Sequence, residues 1–309
     1  MFTNVLAATD RVSVQDAAVV TAARLADANG AKLHIIHVLE SASRKNRDIV
    51  QHYRTGEEMP ATSDYRKNVR KQISESCAGE LPDGETCHIE VAIGLPWHEI
   101  SRYASRIRAD LIVMGPHSSR AEEKGVVRVS VNIGSSVEGV LMWERCPVMI
   151  VNRPTSTEQL KFKRILVGID FSMSCKSALR FAARLSRTLK AKATLFHMVP
   201  VPPDTRYSQD NYEADVKSAN RRLRDFCHDE IRGVDHEYRV WGGALPHEEI
   251  LRCAEKSDAD LIVMGSHTKE KKGKWYPGNA VERVSFRSAC PVISITDPEG
   301  LRSLEDISI

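Results

Sequence analysis

Asp10 and Asp170 each close a short apolar run, Val5-Leu6-Ala7-Ala8-Thr9 in one case and Ile165-Leu166-Val167-Gly168-Ile169 in the other. A carboxylate at the carboxyl end of a strand can accept hydrogen bonds from the amine or hydroxyl groups of a ligand. The same residue type also suits the N-cap of a following helix, and residue type alone favours neither role. Two more apolar runs end in Met114-Gly115-Pro116-His117-Ser118 and Met264-Gly265-Ser266-His267-Thr268. Each leads through a polar stretch to Gly134-Ser135-Ser136 or Gly278-Asn279-Ala280, where a helical pattern begins. Free backbone N–H groups and the positive end of a helix dipole together suit a phosphate; a plain turn and cap would use the same residues.

Other chemistries lose their signatures. His34 and His37 sit an odd number of residues apart on one strand pattern, so they point to opposite faces and cannot share a metal ion. Cys227-His228 lacks further ligands and reads as a structural thiol beside a surface imidazole. Gly273-Lys274 has no glycine five positions earlier, and neither G-x-G-x-x-G nor G-x-S-x-G occurs. The seven cysteines form no CxxC pair and read as reduced, mostly buried thiols. Trp143, Trp241, Trp275 and Tyr276 are scattered and are assigned to core packing. Lys269, Lys271, Lys272 and Lys274 could neutralise phosphate oxygens or simply form a solvated face.

The elements that must position these residues come in duplicate. Val5–Asp10 returns as Ile165–Asp170 and Lys32–His37 as Lys192–His197, both at an offset of 160; Asp110–Gly115 returns as Asp260–Gly265, and Cys146-Pro147-Val148 as Cys290-Pro291-Val292. A period near half of the 309 residues is a domain duplication. The expected domains are 1–153 and 162–298, with Arg153–Glu158 as linker. Within each copy, apolar runs alternate with helical patterns. Ser13 and Asp16 match a capping box ahead of Ala18, Ala22, Leu25 and Ala26, a face ending at Asn29-Gly30. Pro96 and Pro246 fit the first turns of helices. Apolar runs without strict alternation suit strands covered on both faces. The pattern predicts α/β domains, each a doubly wound parallel sheet, with ligands at the carboxyl ends of the strands. Arg44–Asp64, charged and without clear period, is expected to be a flexible flap over the sheet edge.

With 44 basic against 41 acidic residues, the formal charge of +3 gives no electrostatic case for nucleic acid. No run reaches the roughly 18 apolar residues of a membrane span, and the N-terminus carries no signal pattern, so a cytoplasmic protein is expected.

The blocks Asp110–Gly115 with His117, Asp260–Gly265 with His267, and both Cys-Pro-Val endings make each copy resemble a universal stress protein domain, and the duplication resembles the tandem class of that family. The resemblance implies five-stranded parallel sheets of order 3-2-1-4-5, each flanked by four helices, and a loop of the pattern G-x2-G-x9-G-[S/T] that binds a nucleotide. Carried across, base and ribose contacts fall on Asp10, Val38 and Met114, and on Asp170, Met198 and Met264. Phosphate contacts fall on Gly115, Ser118, Gly134, Ser135 and Ser136, and on Gly265, Thr268, Gly278, Asn279 and Ala280. Ser118 and Thr268 stand where the family has its second glycine. Fifteen residues separate Ser118 from Gly134, against the family's nine between Thr268 and Gly278. The resemblance thus implies ATP or another adenine nucleotide, with or without Mg²⁺, in at least one copy, and a sensor or scaffold without dedicated catalysis. Slow ATP hydrolysis, a non-nucleotide ligand, a protein partner and a further homodimer of such pseudo-dimeric chains remain alternatives.

Overall fold

The computed structural model describes residues 1–10, 16–43, 46–52, 57–79, 87–116, 134–202, 206–266 and 280–296. The chain divides into two compact units, Met1–Leu160 and Lys161–Ile309.

In the first unit β1 (Asn4–Thr9) lies between β2 (Lys32–Ser43) and β6 (Leu111–Met114), with β5 (Cys87–Gly94) beyond β2 and β7 (Val148–Ile150) beyond β6, all parallel. The second unit repeats this with β8 (Arg164–Gly168) between β9 (Lys192–Pro200) and β11 (Leu261–Gly265), flanked by β10 (His236–Gly243) and β12 (Val292–Ile295). All three residues of β7, the first four of β11 and every residue of β6 are buried. Leu111, Ile112 and Val113 have no exposed surface, and burying each such side chain stabilises by about 1.5–3 kcal/mol.

Helices α1 (Ala17–Asn29), α2 (Ser63–Cys77), α3 (Pro96–Ile107) and α4 (Ser135–Trp143) cover the first sheet, and α5 (Met173–Leu189), α6 (Gln209–Cys227), α7 (Pro246–Lys256) and α8 (Ala280–Arg287) the second. α1 stops at Gly30, whose φ of 61° is the left-handed cap that glycine reaches without strain. α3 and α7 begin at proline, where the missing N–H costs nothing.

Three expectations need correcting. Asp16 itself is the N-cap of α1, accepting from the N–H groups of Ala18 and Val19; its short side chain reaches those donors directly, and Ser13 lies outside the described residues. The segment after β2 is not an irregular flap. It carries β3 (Asn46–Gln51) and β4 (Glu58–Pro60), antiparallel partners, and α2 starts at Ser63 with Thr62 as cap. β3 pairs with β2 as well as β4 and sinks Val50 into the core, but elements this short leave little apolar period to read. Trp143 is 66% exposed, stacked on Trp97 with centroids 6.4 Å apart, and is no core residue. Trp241 is half-buried against Phe196; Trp275 and Tyr276 lie outside the described residues. Of the thiols, Cys77, Cys175, Cys227 and Cys253 are buried. Thr155, within the segment read as linker, is buried and donates its N–H to Thr21 Oγ1 at 3.2 Å.

Candidate functional site

The most recognisable motif residues, Asp110 and Asp260, stand at the amino ends of β6 and β11. Asp110 accepts from the Thr3 N–H and hydroxyl, both at 2.7 Å, and from the Asn4 N–H at 3.2 Å. Asp260 accepts from the N–H groups of Lys163 at 2.8 Å and Arg164 at 3.0 Å. Each carboxylate thus ties down the start of the central strand. Burial pushes the Asp260 carboxyl above the usual range, and the backbone donors only partly offset this.

At the opposite, carboxyl edge the strand register gathers the sequence-predicted site. Ala8 is paired with Met114 and Thr9 with His37, so Asp10, Val38 and Gly115 each stand one residue beyond a paired neighbour on three adjacent strands. Gly168 pairs with both Phe196 and Met264, and the N–H of Ile169 donates to the Phe196 carbonyl at 2.8 Å. Asp170, Met198 and Gly265 therefore gather in the same way. Met114 and Met264 are buried at 4% and 5% exposure, while Val38 and Met198 are half-buried.

The helices after β1 and β8 are capped by Asp16 and Ser172, so neither Asp10 nor Asp170 is an N-cap. Asp170 Oδ1 accepts the Ser172 N–H at 2.9 Å. The Thr9 hydroxyl donates to Asp16 Oδ2. Burial raises the Asp16 pKa, and the neighbouring Asp10 charge adds to that.

A pair of histidines missed as site-builders recurs at an offset of 160. His37 Nδ1 lies 2.9 Å from the Thr9 carbonyl and His197 Nδ1 2.8 Å from that of Ile169, bracing the residue just before each aspartate. Burial lowers the His197 pKa. Their signal was the repeated spacing itself. A second missed pair, Glu99 and Glu249, is buried at the first turns of α3 and α7. Glu249 Oε2 accepts from Trp241 Nε1 at 2.7 Å and Arg252 at 3.0 Å; Glu99 Oε2 accepts from Arg102 Nε at 2.9 Å. The spacing Pro-x-x-Glu in both copies would have found them.

In the second unit Phe171 follows Asp170 with a φ of 66°. Its ring packs on His197 at 4.4 Å and Phe226 at 5.4 Å, with the Arg222 guanidinium 4.0 Å from its centroid. That packing holds an aromatic residue in backbone geometry few side chains adopt. Gly265 is set by packing: a Cβ there would fall 2.5 Å from the Ser174 carbonyl carbon and 2.7 Å from Cys175 Cα.

The start of α4 is the phosphate candidate in the first unit. Gly134 is its N-cap, at φ −67° and ψ 152°, and makes no side-chain cap bond. The Gly134 N–H donates to the Pro116 carbonyl at 2.8 Å, holding the helix start beside the end of β6. Ser135 is exposed and Ser136 half-buried. In the second unit Ala280 opens α8. Ser118, Thr268, Gly278, Asn279, His117, His267 and the four lysines lie outside the described residues. Among the described residues no group of three or more His, Cys, Asp or Glu side chains could hold a metal ion, and no helix is long and apolar enough to cross a membrane.

The family model described as "Universal stress protein family" matches residues 1–152 and again 161–295. A universal stress protein of Methanocaldococcus jannaschii is 26% identical over 157 residues, covering 43% of this chain and 94% of its own. One of Mycobacterium tuberculosis is 31% identical over 159 residues, 44% of this chain and 48% of its own. A solved universal stress protein from Archaeoglobus fulgidus matches with a TM-score of 0.61 at 20% identity, covering 95% of this chain and 98% of that one, a likeness of fold.

Proposed function

The chain belongs to the universal stress protein family through both of its halves, and on that premise we propose that it binds an adenine nucleotide at the carboxyl edge of at least one sheet. It then serves as a cytoplasmic, nucleotide-responsive sensor or scaffold in the stress response, without dedicated catalysis. Asp10 accepts hydrogen bonds from the base or ribose, Val38 flanks the base, and the first N–H groups of α4 receive phosphate oxygens, with any Mg²⁺ arriving on the phosphates.

The observation that carries this is the Gly134-to-Pro116 hydrogen bond. It fixes a helix start whose N-cap has no side chain to occupy the open donors, one short step from the strand end that also neighbours Asp10. The first N–H groups of a helix have no intrahelical acceptor, so an anion there gains both hydrogen bonds and the dipole.

Isothermal titration with Mg-ATP tests it. Ser135 is the first residue of α4, where proline is tolerated while deleting one N–H. Ser135→Pro and Asp10→Ala should each weaken ATP at least about tenfold, a loss of about 1.4 kcal/mol. Ser135→Ala should stay within about threefold, because backbone rather than hydroxyl donors do the work. No binding at millimolar ATP would refute the proposal. Binding that survives both first-unit variants but falls with Asp170→Ala would assign the site to the second unit.

A further inference from the structure

β5 is hydrogen-bonded to β2 along one side. On its other side the Val91 carbonyl accepts from Arg66 Nε at 3.2 Å and Nη2 at 2.8 Å, so the polar groups of Val91 point away from β2. In a parallel strand alternate residues bond to alternate sides, and Cys87 and Ile89 therefore turn their N–H and C=O groups to the same edge, which no strand among the described residues pairs with. A cavity of ≈ 690 Å³ opens there, lined on the α2 side by Lys67, Arg70 and Lys71 and on the α3 side by His88, Glu90 and Tyr103. That size lies within the roughly 300–1,000 Å³ of ligand sites.

The two walls differ in chemistry. Lys67 pairs with Asp64 at 3.8 Å and Lys71 with Glu75 at 3.6 Å, all four side chains well exposed. Such pairs contribute little and exchange readily. Arg70 makes no ion pair among the described residues. On the opposite wall Glu90 is paired with Arg106 at 3.6 Å, and the exposed His88 stacks on the buried His34; Tyr103 is 8% exposed with the Arg106 guanidinium 4.6 Å from its ring centroid, so the open ring surface there is that of His88. The matching edge in the second unit, on β10, is met by side chains of α6. There Gly242 N–H donates to the Tyr212 hydroxyl at 3.1 Å, and the Tyr238 ring lies under Arg224 at 4.5 Å.

We propose that the free edge of β5 docks an extended segment of a partner protein in which acidic and apolar residues alternate, adding to the sheet as a further strand. Alternate side chains of an added strand face opposite walls. Acidic ones would meet Lys67, Arg70 and Lys71, and apolar ones the exposed ring of His88, while the backbone bonds to Cys87 and Ile89. This stands apart from the nucleotide proposal, because the groove lies along the amino half of β5 and the nucleotide site at the carboxyl ends.

The probe is a fluorescein-labelled Glu-Val-Glu-Val-Glu-Val peptide, read by fluorescence polarisation on the full chain. Saturable binding is expected, absent for the Lys-Val repeat of equal length. Arg70→Glu, on an exposed helix face, should weaken it at least about tenfold. Ile89→Pro removes an outward N–H while leaving the β5–β2 ladder intact, as edge strands allow, and should weaken it comparably. Failure of the acidic peptide to saturate, equal binding of the Lys-Val peptide, or unchanged affinity in Arg70→Glu would overturn the proposal. So would unchanged affinity in a folded Ile89→Pro variant, since contact by charge alone needs no edge N–H.

Discussion

Acidification tests the packing beneath the β5 groove through one imidazole. His34 is 8% exposed, its ring stacked on His88 at 5.1 Å and its Nδ1 3.3 Å from the Tyr103 hydroxyl. Burial first, then the charges of His88 and Lys32, pull its pKa from the ordinary 6.5 down to about 4. As pH falls, the unfolded chain protonates this residue near 6.5, whereas the folded chain resists until about 4. The unfolded state therefore binds more protons across that window, and stability falls with falling pH. At about 1.36 kcal/mol per pH unit, the span from 6.5 to about 4 sets a ceiling of about 3 kcal/mol. The assay is native-state hydrogen exchange, corrected for intrinsic rates, on peptides from β1 and β2 at pH about 7.5 and about 4.5. His34→Gln removes the titration and keeps a polar side chain. Asp16 and Asp260 have raised pKa values, and such groups favour the folded state as pH falls, but they are common to both proteins and cancel in the difference. Wild type should lose up to about 3 kcal/mol more than His34→Gln. Equal pH slopes in the two proteins would refute the reasoning.

Gly265→Ala should lower the melting temperature of the second unit by calorimetry, because its Cβ would fall 2.5 Å from the Ser174 carbonyl carbon. Overpacking of this kind costs about 1–3 kcal/mol, and an unchanged melting temperature would show that α5 yields freely. Asp110→Ala should destabilise the first unit by about 2–4 kcal/mol in urea unfolding, since two backbone N–H groups and the Thr3 hydroxyl lose a charged acceptor. Asp110→Asn, which keeps one acceptor oxygen, should cost about half as much; equal losses would place the effect in charge rather than hydrogen bonding.

The sequence by itself determined the duplication, the alternation of strand and helix, and the residues at the strand ends. Each rests on a local, repeating signal: matched blocks at an offset of 160, apolar runs such as Leu111–Met114, and punctuation at Gly30, Pro96 and Pro246. What it left open depended on contacts between residues far apart in the chain. Whether Asp10 capped a helix turned on where α1 begins, and Asp16 takes that cap with help from Thr9. The role of Asp110 needed its 107-residue reach to Thr3, and that of Gly265 the close approach of α5. The two units carry the same strand ladder, yet Arg66, Tyr212 and Arg224 treat the edges of β5 and β10 differently. Such differences arise from side chains meeting across elements, which only the folded arrangement brings together.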